Sequence, residues 1–174
     1  MKKEWKAGAI AIVILLIIGI VIFSQGENYP LKKENPVKYE EVITKLHQVK
    51  DQLKKDENNI DLLVKEGSYY EALGADDKAI DVYLQALKIE SHVSMAYVNL
   101  GSIYAKQKKY DKAVDIYKKA IEIYPNDSQY YNNLSDLYAN GQGGTKQDAI
   151  LLLEKGVKNT NDTSLKAKLE KLKQ

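Results

Sequence analysis

The chain has no cysteine among its 174 residues, and all 26 of its basic residues are lysine. The first absence excludes a disulfide scaffold and any Cys-ligated zinc or iron–sulfur site. It leaves the compartment open. Only two histidines are present, His47 and His92, so imidazole chemistry has little material to work with. The formal net charge is only +2, and Lys2, Lys3 and Lys6 against Glu4 carry all of it. No basic footprint suits nucleic acid. Proline is scarce as well, with Pro30, Pro36 and Pro125 alone, so long helices are free to form between them.

What is present begins with an apolar run. Residues 7–23 carry no charge and no strongly polar side chain. As a helix such a run reaches about 26 Å, close to the hydrocarbon thickness of a bilayer. It is apolar all round, and Trp5 precedes it where an indole can sit among headgroups. The lysines before it predict a cytoplasmic N-terminus (1–6), a transmembrane helix (7–23) and an extracytoplasmic remainder. Ser24-Gln25-Gly26 offers the alternative of a cleaved signal peptide and a secreted protein. Residues 24–36, polar and bearing two prolines, read as an extended linker.

Beyond the linker the sequence repeats. Tyr70, Tyr104 and Tyr138 are each 34 residues apart, and Gly67, Gly101 and Ser135 keep the same step. Ala79 and Ala113, Tyr83 and Tyr117, and Ala86 and Ala120 share it. In the third copy these become Ala149, Leu153 and Gly156, shifted by two residues through Asn140-Gly141-Gln142-Gly143-Gly144. Tyr97, Leu100, Gly101 and Tyr104 fall on one face of a first helix, and Ala113, Tyr117 and Ala120 on one face of a second. Small residues allow close helix approach, with rings filling the gaps beside them. Pro125 ends the second helix, Asn126-Asp127-Ser128 caps the next, and Tyr110-Asp111 is expected to cap in the same way.

These residues resemble the tetratricopeptide repeat. Copy two (94–127) carries nearly the whole signature, from Tyr97 to Pro125. Copy one (60–93) departs at Glu66, Asp76 and Ser91, where Leu, an aromatic and Pro are usual. Copy three (128–163) leans toward the related Sel1-like repeat through Leu137-Tyr138-Ala139-Asn140-Gly141-Gln142-Gly143. The resemblance implies an all-α fold: the N-terminal transmembrane helix, then a right-handed solenoid of three helix pairs. An amphipathic helix (37–59) with Val42, Ile43, Leu46, Val49 and Leu53 on one face precedes the pairs, and a capping helix (164–174) with Leu165, Leu169 and Leu172 closes them.

The resemblance further implies a concave groove lined by first helices. Its peptide-binding positions are Lys65, Ser68, Asn99, Ser102, Lys106, Asn132, Asn133 and Asp136, beside Asp61, Val64, Met95, Val98 and Gln129. Asn99 and Asn133 sit one repeat apart, and two such carboxamides can pair with the main chain of an extended peptide. The family's carboxylate-gripping subset is not matched: Met95 and Gln129 stand where cations are expected, and no Arg offers a bidentate grip.

Nothing here suggests catalysis, a cofactor or a metal. Gly141-Gln142-Gly143-Gly144-Thr145-Lys146 has the wrong order for a phosphate loop. The function expected is a non-enzymatic adaptor, anchored in the membrane, whose groove binds an extended segment of a protein partner. The alternatives are a self-associating structural module of an envelope complex, hence a homo-oligomer, or an ancillary chaperone for exported chains.

Overall fold

A computed structural model describes residues 28–174. The expected cytoplasmic stretch, transmembrane helix and cleavage site at 1–26 lie outside the described residues. Among the described residues no helix is long and apolar enough to cross a membrane.

The described chain is all helix and turn. Helices α1 (Pro30–Glu34) and α2 (Pro36–Leu53) precede three pairs: α3 (Ile60–Ala72) with α4 (Asp76–Ile89), α5 (Ser94–Lys106) with α6 (Tyr110–Ile123), and α7 (Ser128–Ala139) with α8 (Lys146–Thr160). Helix α9 (Thr163–Lys173) closes the stack. Each helix packs chiefly on its neighbours in sequence, the pattern of a solenoid.

Helix starts follow from local chemistry. Asn59, Asp127 and Asp162 accept a main-chain N–H of the first turn of α3, α7 and α9 at 3.1, 2.9 and 2.9 Å. Thr145 and Asp148 form a reciprocal capping box on α8. Helix α6 ends at Ile123, ahead of Pro125 as expected. Tyr110-Asp111 does not cap α6: Lys109 is the flanking residue, no side chain bonds there, and Asp111 lies within the first turn.

Two further expectations are corrected. The amphipathic helix ends at Leu53 rather than 59, because Asn59 is committed to capping α3 and holds Asp56 at 3.0 Å, making the intervening residues a turn. Residues 29–34 are not extended spacer. Pro30 opens α1, the Leu31 N–H donates to the Leu73 carbonyl at 3.3 Å, and the Tyr29 and Leu31 side chains are buried. Lys78 donates to the Tyr29 hydroxyl at 3.1 Å and lies over both the Tyr29 and Tyr70 rings.

The core runs the length of the stack. Val42, Ile43, Leu46, Val49 and Leu53 are all buried, as the spacing predicts, and so are Leu165 and Leu169 at the far end. Within the first two pairs, glycine sets the spacing. A Cβ on Gly67 would overlap the Tyr83 ring, and one on Gly101 the Tyr117 ring. In the third pair Ser135 stands in the glycine's place, and the facing residue is Leu153, which presents no ring.

Candidate functional site

The expected groove residues separate into three groups by what holds them. Asn99 on α5 is the best defined. Its Nδ2 donates to the Tyr83 hydroxyl, one repeat earlier, at 2.7 Å. The proton inventory fixes this direction. Ser68 spends its only proton on the Val64 carbonyl at 2.9 Å, so at 3.1 Å from Tyr83 it accepts. The Tyr83 proton goes to Ser68 or to Glu71 at 3.5 Å, and its oxygen must therefore accept from Asn99. Asn99 Oδ1 is left with no internal donor among the described residues.

One repeat later Asn133 lies near enough to the Tyr117 hydroxyl to act on its titration. Burial raises the Tyr117 hydroxyl to about 12, with Asn133 acting the other way. Burial also raises Tyr83. Both phenols therefore stay protonated over the whole physiological range. Sequence reasoning found the asparagines but missed their tyrosine partners. The signal was available: both pairs are 16 residues apart in sequence.

A second group is occupied by neighbours. Lys106 pairs with Asp76 at 2.9 Å, tying α5 to the start of α4. Lys168 of α9 donates to the Asn132 side chain at 2.8 Å and its carbonyl at 2.9 Å, and pairs with Asp136 at 2.7 Å. Asn132 and Asp136 thus serve the capping helix. Ser102 is exposed and Lys65 is exposed, and neither has an internal partner among the described residues. Glu71 lies between the groups. Burial first, and the Asp76 carboxylate second, push its carboxyl up, while Lys106 and Tyr83 oppose them.

Lys65 belongs to a cleft between the first turns of α3 and α5. It encloses about 610 Å³ and is lined by Ile60, Asp61, Val64, Lys65, Glu90 and residues 92–95. At the next junction a cleft of about 590 Å³ is lined by residues 123–128. There the buried Tyr130 ring spans from α7 to α5, its hydroxyl 2.7 Å from Ser94 Oγ. Tyr124 stacks on it at 6.0 Å and meets Tyr97 and His92 edge-on at 6.4 and 6.2 Å.

Known proteins match this architecture. Family models of the tetratricopeptide repeat match residues 60–92, 94–127 and 116–156, together more than half of the chain. No curated protein matches. Among solved structures, MamA from Desulfovibrio magneticus RS-1 superposes with a TM-score of 0.60 at 19% identity, over 82% of this chain and 84% of that one. A second MamA structure gives 0.60 at 23% identity, over 78% and 77%. YrrB, described as a TPR protein with an unusual peptide-binding site, gives 0.57 at 17% identity, over 70% and 62%. At these identities the likeness is one of fold. With three family matches in tandem on a stack of helix pairs, the chain belongs to the tetratricopeptide-repeat family.

Proposed function

We propose that this chain is an adaptor whose concave face binds an extended segment of a protein partner, held at a membrane by residues 7–23. In this reading the N-terminus is cytoplasmic, the repeats are extracytoplasmic, and the third repeat is of the Sel1-like kind. The observation that carries the groove is the Asn99–Tyr83 hydrogen bond, with Asn133 placed beside Tyr117 one repeat later. Tyr83 holds the Asn99 carboxamide in one orientation, so its free oxygen meets a peptide N–H with little ordering cost left to bear. The lysine-flanked apolar run supports the anchor. Membership of a family of interaction modules, and the peptide-binding description of YrrB, support a peptide as partner.

The test is crosslinking in native membranes with mass spectrometry of what is captured. Asn99→Ala combined with Asn133→Ala is expected to abolish capture. Tyr83→Phe with Tyr117→Phe, which loosens the carboxamides but leaves them in the groove, is expected to weaken capture only in part. Unchanged capture by the asparagine double variant would remove the groove from the mechanism. Protease access to the repeats in intact cells tests the placement: digestion from outside is expected for the extracytoplasmic reading.

A further inference from the structure

The turns inside the three helix pairs line one edge of the stack, and contacts run from each to the next. A Cβ on Gly74 in the first turn would lie 2.9 Å from the Pro30 ring, so the chain enters the body at this edge. Asp76 pairs with Lys106 at 2.9 Å and Asp77 accepts from Gln107 at 3.2 Å, joining the first turn to the second. A Cβ on Gly143 in the third turn would lie 2.8 Å from Val114 of α6. The turns between pairs line the opposite edge, at the other ends of the first helices. Those helices have 12 or 13 residues, which sets the two edges about 20 Å apart.

The two edges carry opposite charge. On the entry edge, residues 29–34, 73–78, 106–112 and 140–148 hold eight lysines against five carboxylates. On the far edge, residues 54–61, 88–95, 122–129 and 158–163 hold four lysines against seven carboxylates. Three of the entry-edge carboxylates are also spent inside the protein. Asp76 holds Lys106, Asp77 holds Gln107, and Asp148 closes the capping box with Thr145. Lys33, Lys108 and Lys109 are exposed and have no ion pair among the described residues. The field that this edge presents to its surroundings is therefore that of its lysines.

Lys108 is held there at a cost. It stands one repeat after Gly74 in the same turn, and both are left-handed, with φ of 59° and 75°. Glycine takes that conformation freely, whereas a lysine Cβ crowds the main chain. The only other described residue with a Cβ in this region is Asn161, a type that tolerates it. Strain kept for an exposed side chain that bonds nothing in the fold points to a use outside the fold.

We propose that the entry edge docks on an anionic lipid surface, with Lys33, Lys108 and Lys109 against the headgroup phosphates. This rests on the anchored reading: the membrane segment joins the body at Tyr29, so the edge that carries Tyr29 is the one brought to the bilayer. The docked body turns its acidic far edge, with the cleft beside Asp61 and Glu90, away from the lipid and toward a partner.

The absence of cysteine gives the test a clean reporter, since one introduced thiol takes a fluorophore at one place. Gln147→Cys labels the entry edge and Asn126→Cys the far edge, both at exposed positions. The full chain is incorporated into nanodiscs of phosphatidylcholine, with or without phosphatidylglycerol, that carry a quencher on the headgroups. On the anionic discs the label at 147 is expected to be quenched and the label at 126 spared. Neutral lipid or raised salt is expected to relieve the quenching. Each lysine removed by Lys33→Gln, Lys108→Gly or Lys109→Gln is expected to lower the ratio of docked to undocked body by up to about fivefold. Lys108→Gly is also expected to raise the melting temperature by releasing the left-handed strain, so a loss of quenching there cannot be a loss of fold. Equal quenching at 126 and 147, equal quenching on neutral discs, or unchanged quenching in the triple variant overturns the docking. A chain that does not incorporate into the discs overturns the anchored reading and the docking with it, whereas incorporation without quenching at 147 overturns the docking alone.

Discussion

The first and second junctions of the stack begin from the same helix geometry and close it by different means. At the second, Tyr97, Tyr124 and Tyr130 form one aromatic cluster between α5, α6 and α7. At the first, Leu63, Glu90 and Ala96 occupy the corresponding places, and none of the three is aromatic. What the two share is a second-helix tyrosine beside the asparagine of the next first helix, hydrogen-bonded at 2.7 Å in the Tyr83–Asn99 case. The difference teaches that stacking in this chain does not need aromatic filling at every junction.

Removing the filling breaks the contrast most severely. Tyr130→Ala deletes a fully buried ring, its stack on Tyr124 and its bond to Ser94. A loss of about 3–5 kcal/mol is expected in denaturant melts, the usual range for a large buried ring. The control lies in what the first two repeats share. Gly67→Ala and Gly101→Ala each drive a methyl into a facing tyrosine ring and are expected to cost about 1–3 kcal/mol apiece. Equal costs confirm that the pairs themselves are alike and that only the junctions differ.

Glu66 sharpens the comparison in the other direction. Its counterparts Leu100 and Leu134 are 0 and 1% exposed, and Glu66 itself is 9% exposed. Burial pushes its carboxyl up from the ordinary value of 4.5, with Lys50 and Tyr70 opposing. A raised folded value means that the folded state favours the protonated form. The stability this group contributes is therefore full below 4.5 and lost as pH rises through the folded value. Glu66→Leu is expected to raise stability by roughly 1–2 kcal/mol at pH 7. The gain should shrink toward pH 4, and a gain that is the same at both pH values would contradict the burial of the carboxylate.

The smallest effects come from single hydroxyls. Tyr83→Phe strands Asn99, Ser68 and Glu71 and is expected to cost about 1 kcal/mol, more than Tyr117→Phe, whose named partner is Asn133 alone. Tyr97→Phe is the counter-case. Its buried hydroxyl has no hydrogen-bond partner among the described residues, so the loss is expected to be neutral or slightly stabilising. Thermal melts of the three variants rank them directly.

Much of the architecture was legible because it is periodic. The 34-residue step of Tyr70, Tyr104 and Tyr138 placed the paired helices, and the spacing of Val42, Ile43 and Leu46 gave the buried face of α2. What escaped depends on partners distant in sequence. Two prolines suggested a spacer at 24–36, yet Pro30 also suits a helix start, and the burial of Tyr29 and Leu31 rests on Leu73 and Lys78. Asn132 and Asp136 looked like groove residues until Lys168 came over them from α9, and Lys106 until Asp76 met it from α4. A polar residue on a first helix can face a ligand or a neighbouring repeat. Periodicity gives both the same address, and only the presence of an opposite charge across the gap tells them apart.

The docking of Tyr29 and Leu31 sets a leash length. Residues 24–28 reach at most about 18 Å when fully extended, and in the proposed anchored reading that is all that would separate the membrane segment from the packed body. On so short a leash, an anchored first repeat would explore a thin shell above the lipid surface rather than the bulk. Partners confined to the same membrane would meet it in a two-dimensional search at high effective concentration, where weak contacts suffice.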